Sequence, residues 1–194
     1  MLTLVAGLVL FLGAHSVRVF AESWRTSTIG RVGEMPWKGV YALVSIAGFV
    51  LLVVGYGMAR HHPVVLWSPP PVALRHVASL LTLVAFVLVV AAYVPGNQLK
   101  ARLHHPMALG VKAWALAHLL ANHTLADLAL FGSFLAWAVL VYRAARKRDR
   151  EQGTVYRAGT PSRTAMTVVV GVVAWAVFAF GLHRVLIGVS PMGV

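Results

Sequence analysis

Residues 103–132 read LHHPMALGVKAWALAHLLANHTLADLALFG, and here an otherwise apolar chain concentrates its polar side chains. Proline has no backbone N–H to donate and suits the first turn of a helix, so a helix opens at His105-Pro106, runs to about Leu120, and takes Asn122 as its end cap. Thr124, followed three residues later by Asp127, has the form of a capping box. A second helix therefore starts almost at once and must return antiparallel to the first. Lys112, Trp114 and His118 lie inside the first helix. At a rise of about 1.5 Å per residue, Gly110, Trp114 and His118 stack along one face, with Asn122 a turn further on. Polar groups at such depth in a bilayer are costly, which makes them functional candidates. The small residues and the very short turn predict that this hairpin packs in the interior with Trp114 lining a cavity.

Composition sets the surroundings of the hairpin. Hydrophobic residues make up 59% of the 194-residue chain and charged residues 11%, outside the range of soluble globular domains. The formal net charge of +12 does not indicate nucleic-acid binding, because the basic residues fall between apolar segments and form no single stripe. They are better explained as positive loops facing the cytoplasm. The absence of cysteine excludes disulfides, thiolate metal sites and covalent haem attachment through CxxCH.

Outward from the hairpin, six apolar stretches are long enough to span or nearly span a bilayer: 2–20, 37–59, 74–94, 106–121, 125–142 and 165–188. The expected fold is an all-α integral membrane protein, a bundle of about six transmembrane helices forming one domain over 1–194. Gly48, Gly55 and Gly57 permit close helix contact in the second span. The stretch ESWRTSTIGRVGEMPWKG reads as a basic loop. The prolines 69–71 break the connection after the second span. VYRAARKRDREQGTVYRAGTPSR, with the densest basic cluster, reads as a polar, partly flexible cytoplasmic loop. Arg25, Arg31 and Lys38, then Lys100 and Arg102, then the seven cations from Arg143 to Arg163 follow spans one, three and five. Only Arg60, Arg75 and Arg184 approach the other side. Both termini are thus expected outside the cytoplasm.

His15, Arg18 and Glu22 fall at i, i+3 and i+7, giving the first helix one polar face near the cytoplasmic boundary. Arg18 and Glu22 read as an ion pair at the interface. A buried His15 must satisfy its ring nitrogens, and neutral imidazole is a good ligand for iron. The small neighbours of His118 suit either a flat ligand or a close helix contact. Lys112 either snorkels to the headgroups or pairs with an anionic group. His61, His62, His104 and His123 read as solvated loop residues, and His183 with Arg184 as an interfacial pair. There is no P-loop, GxGxxG, HExxH or GxSxG, and too few acids for a paired-carboxylate or di-metal site.

AHSVR, RVGEMPWKG, HPMALGVKAWALAHLLAN and LALFG together resemble the NnrU family of bacterial inner-membrane proteins, which is similar to the plant and cyanobacterial zeta-carotene isomerase. The likeness covers spans one to five and part of six. It implies residence in the bacterial inner membrane, in contact with membrane lipid, where the loop charges counted above put both termini in the periplasm; it also implies haem b with histidine axial ligands and a link to nitric-oxide and denitrification metabolism. From the isomerase branch it also implies a lipophilic polyene substrate for cis–trans isomerisation. His15 and His118, within spans and matching the motif, would ligate the iron, with Arg18 and Lys112 on the propionates and Trp114 against the ligand. His15 lies roughly 10 Å from the cytoplasmic interface and His118 roughly 20 Å at about 1.5 Å per residue, so a shared iron requires tilted helices. Otherwise His105 competes as the ligand. The isomerase branch carries a Cys where Ala115 stands here, which removes a thiolate ligand switch. HPMALG also resembles the HPxYxG segment of integral-membrane methyltransferases that use S-adenosylmethionine, though without its Tyr and with only Asp149 and Glu151 for the acidic stretch. A non-catalytic haem sensor or assembly protein is the third reading.

Overall fold

An apolar run in a bilayer must satisfy its backbone within itself, and here every long run does so as a helix. The structure, a computed structural model, describes residues 1–191. The elements are α1 Leu2–Phe20, α2 Glu22–Val32, α3 Glu34–His61, α4 Val72–Tyr93, α5 Gln98–Leu103, α6 Pro106–Ala121, α7 Leu125–Glu151, α8 Pro161–Val177, a π-helical turn Phe178–Leu182, and α9 His183–Ile187. Five stretches are long and apolar enough to cross a membrane: α1, α3, α4, α7 and the 27-residue run from α8 through α9. The 16-residue α6 is the shorter sixth. Among the described residues the only β pairing is two isolated bridges. The all-α membrane bundle expected from composition is thus the fold.

The helices pack in the order α3, α1, α7, α6, α4, α8, each against the next. A single exposed side chain links the two ends of this row, Arg60 Nη1 donating to the Ile187 carbonyl at 2.8 Å. On that same face the segment after α3 is tied to the α6–α7 turn, with Leu66 N donating to His123 O and Leu125 N to Val64 O, both at 2.9 Å. The opposite face collects the basic connections. There Asn97, 1% exposed, caps α5 through Lys100 N at 2.7 Å and donates to Ala91 O at 2.9 Å, while Thr160 N donates to Gly96 O.

The α1–α3 contact is the tightest in the bundle. A methyl group on Gly7 would stand 2.5 Å from Leu52 N, and one on Gly48 2.7 Å from Phe11 N, so the two backbones meet with nothing between them. Gly55 packs on Leu4 in the same way. Gly57 differs from the expectation: it faces open space, because it sits two residues beyond Gly55 and so on another side of the helix.

Three polar stretches read as loops are helical. Residues 22–32 form α2, with Arg25 paired to Glu22 at 3.1 Å one turn away and an end at Gly33, whose φ of 89° favours glycine. Residues 98–103 form α5 because Asn97 supplies its cap. The fifth span continues past Tyr142 to Glu151, since RAARKRDRE is made of good helix formers with Lys147–Glu151 and Arg146–Asp149 pairs at 3.7 and 3.3 Å. The hairpin itself follows the sequence reading: Pro106 sits in the first turn of α6, and Thr124 and Asp127 make a full capping box.

Candidate functional site

Both histidines inside the spans are held the same way. His15 Nδ1 lies 2.7 Å from the Phe11 carbonyl and His118 Nδ1 2.9 Å from the Trp114 carbonyl, each one turn back on its own helix. A carbonyl only accepts, so each Nδ1 carries the proton and each Nε2 presents a lone pair. No described residue donates a hydrogen bond to either Nε2. An imidazole anchored by its far N–H to a backbone carbonyl is the arrangement in which histidine ligates a metal.

Around His15 stand Phe11, Tyr41 and Trp137, with ring centroids 4.2, 5.3 and 6.2 Å away. Around His118 stand Phe131, stacked at 4.5 Å, and Trp114 at 5.1 Å. The imidazoles do not touch each other among the described residues. A run of rings links them: Phe134 is 5.9 Å from Phe11, 6.3 Å from Trp137 and 5.5 Å from Trp114. The connecting side chains Phe131, Phe134 and Trp137 recur every three residues, so one stripe of α7 faces both α1 and α6. Trp114 is therefore packed edge-on against α7 rings. The Nε1 of Trp137 is buried beside His15 without a hydrogen-bond partner.

The remaining candidates separate into two places. Arg18 lines a recess of about 580 Å³ between the end of α1, α2 and the start of α3, together with His15, Arg25, Glu34, Lys38 and Tyr41. Its Nε is 4.0 Å from Glu22 Oε1, so the expected ion pair is present but longer than the Arg25–Glu22 pair. Lys112 lies elsewhere, with Nζ 4.7 Å from the ring centre of Tyr142 on α7, a cation–π contact. His105 is engaged through Nε2 with Asp149 Oδ2 at 2.8 Å. A second recess of about 670 Å³ runs between α1 and α7 and is walled by Leu12, Val17, Phe20 and Trp137.

Two constellations escaped the sequence reading. His104, read as a solvated loop residue, is half-buried at φ 67° and stacks on Tyr156 at 4.1 Å, 7° from parallel. Asp149 gathers His105, Arg146 and the Tyr156 hydroxyl around its carboxylate, which closes the basic face over the start of α6. Burial, followed by that bond to Asp149, holds the Tyr156 hydroxyl above the usual tyrosine range and keeps it a donor. On the other face, Tyr56 of α3 donates to Asp127 Oδ1 at 2.5 Å. The partners in these clusters are up to 71 residues apart, and no local pattern announces such pairing.

A bundle of apolar helices, five of them long enough to cross a bilayer, with two backbone-anchored imidazoles among aromatic rings, defines a multi-pass membrane protein. The chain belongs to the NnrU family: the family model described as NnrU protein matches residues 3–191. No curated protein and no solved structure matches it.

Proposed function

We propose that this NnrU-family protein is a haem b-binding protein of the bacterial inner membrane, with His15 and His118 as iron ligands. The observation that carries the reading is the shared geometry of the two imidazoles, each with Nδ1 committed to a carbonyl and Nε2 left free. The donor set fits the group: two neutral imidazoles, flat aromatic walls, and the unpartnered Trp137 N–H beside His15. The rings of Phe134 and Trp114 occupy the interval between the histidines, so they are the side chains that give way to, or stack on, a macrocycle. Arg18 stands near His15 to meet a propionate, whereas Lys112 has first to leave Tyr142. When bound, the haem would supply a one-electron couple, with His15 and His118 as the residues that would hold it.

The protein's own residues orient the ligands and exclude water. Phe11 and Trp114 supply the carbonyls that set both ring tautomers, and α7 supplies the apolar wall between them. Family resemblance links this reading to nitric-oxide and denitrification metabolism. For isomerisation of a polyene the chain has Ala115, fully buried three residues before His118, where the isomerase branch has Cys. That favours a redox or sensing role on the same ligands.

Haem reconstitution tests the ligands. His15→Ala and His118→Ala should each abolish the low-spin absorption spectrum, and His61→Ala should leave it unchanged. Full occupancy with an unaltered spectrum in the double variant His15→Ala/His118→Ala would remove the assignment. Orientation is tested separately. With the basic connections cytoplasmic, a reporter fused after Val194 should report a periplasmic location, and activity confined to the cytoplasm contradicts the topology.

A further inference from the structure

We propose that residues 152–160 form a strap over the start of α6, latched where Tyr156 meets His104 and Asp149, and that the latch closes when His104 takes up a proton and opens as the pH rises. The strap is pinned at both ends. Thr154 N donates to the Asp149 carbonyl at 2.9 Å where α7 stops, and Thr160 N donates to the Gly96 carbonyl at 2.9 Å. Gly159 is pressed on the backbone of Asn97, where a side chain would not fit. Between the pins Val155, Arg157 and Ala158 are exposed, Val155 at 89%, while Tyr156 turns inward onto His104.

His104 is held under that ring against its own backbone preference. At φ 67° and ψ −55°, with His105 N donating to the Leu103 carbonyl at 2.8 Å, it is the central residue of a γ-turn that non-glycine residues rarely adopt. Its imidazole stacks on the Tyr156 ring at 4.1 Å, 7° from parallel. Its Nδ1 is buried without a hydrogen-bond partner, 3.9 Å from Asp149 Oδ2. An unpaired nitrogen lone pair so close to a carboxylate is unfavourable. A protonated Nδ1 instead brings an N–H and a positive charge to Asp149 and lays a cation on the face of Tyr156. Both partners then draw the strap inward, because the Tyr156 hydroxyl itself donates to Asp149 Oδ2 at 3.1 Å.

The other charges around the latch do not supply this step. His105 already gives its Nε2 proton to Asp149 at 2.8 Å, and on α7 Arg146 meets the same oxygen at 3.3 Å. Tyr142, also on α7, stands edge-on to His105 with Lys112 of α6 over its ring. On α5 Lys100 is turned to the Ala92 carbonyl at 2.8 Å and Arg102 is exposed, as are Arg157 on the strap and Arg163 on α8. Arginine and lysine keep their charge and a carboxylate stays ionised above about pH 4, so around about pH 6.5 only the two imidazoles change. A proton that favours the latched form holds it closed on the acid side of that range, and its loss opens the strap on the alkaline side.

The chain has no cysteine, so Val155→Cys gives a single attachment point for a nitroxide spin label beside the latch. Electron paramagnetic resonance of the full chain in detergent, taken on the monodisperse fraction and without haem, reads the mobility of the strap. The label should be immobilised at about pH 5.5 and several-fold more mobile at about pH 8.5, on either side of the ordinary imidazole value. His104→Gln in this background should remove the dependence on pH, and His105→Gln should weaken the immobilisation but keep the dependence. Tyr156→Ala should leave the label mobile at both pH values, and Arg157→Gln should keep the full transition. A mobility that does not change with pH when the latch is intact overturns the proposal, as does a transition that survives in His104→Gln. Should His104→Gln give no monodisperse protein, Asp149→Asn takes its place, and a transition surviving there overturns the proposal equally.

Discussion

Gly48→Leu is expected to lower the thermal midpoint of the detergent-solubilised protein sharply, while Gly57→Ala holds it or raises it. Even the first carbon of a side chain at Gly48 would lie 2.7 Å from Phe11 N and 3.0 Å from its Cα, backbone atoms that cannot swing aside. The helices must separate, and overpacking of this kind costs about 1–3 kcal/mol or more. At Gly57 nothing lies within 4 Å, so alanine there adds only its helix propensity, up to about 1 kcal/mol in favour of folding. The damage should reach the candidate ligand, because Phe11 supplies the carbonyl that holds His15 Nδ1. Scanning fluorimetry in detergent, with haem retention measured on the same samples, reads both effects. Equal midpoints for the two variants would show that the α1–α3 contact does not control stability.

The second large effect is expected at Asp127. Its carboxylate, in a residue 6% exposed, accepts from Tyr56 Oη at 2.5 Å, from Thr124 N at 3.0 Å and from Thr124 Oγ1 at 2.6 Å. Asp127→Ala removes the capping box, worth about 1 kcal/mol, and strips the partner from a buried Tyr56 hydroxyl. Hydrogen bonds to a charged group add about 1.5–3 kcal/mol, for a total of roughly 3 kcal/mol. Tyr56→Phe leaves the Thr124 bonds in place and should cost about 1 kcal/mol. A double-mutant cycle between the two positions should give a positive coupling energy. Purely additive effects, or an Asp127→Ala variant no worse than Tyr56→Phe, would contradict this account.

Both variants bear on the interior that the proposed function uses. Asp127 fixes the start of α7, whose next turn presents Phe131 to His118. Tyr56 itself contacts Phe131, with centroids 6.2 Å apart. A loosened α7 should therefore weaken haem retention without touching an imidazole.

Much of the fold was legible in the sequence, and the reason is the solvent. In a bilayer the backbone permits only self-satisfied helices, so apolar length and the positions of Pro and Gly determine where helices lie. Pro106, Asn122, Thr124 and Asp127 act within one turn of chain, and local chemistry of that range can be read from spacing. Both candidate imidazoles were legible for the same reason, since His15 and His118 interrupt apolar runs. Residues 22–32, 98–103 and 143–151 were misread because polar composition suits a loop and an interfacial helix alike.

The tertiary structure decided which groups meet. The gap from Tyr56 to Asp127, from His105 to Asp149, or from Arg18 to Lys38 is closed by packing between helices far apart in the chain. Gly48 and Gly57 look alike in sequence, yet one faces backbone and the other open space. Lys112 and Arg18 were equal candidates for one anion until packing set Lys112 over Tyr142 and left Arg18 beside His15. Sequence determines the helices of this protein because their hydrogen bonds are local; the neighbours of each helix face depend on how all six pack together.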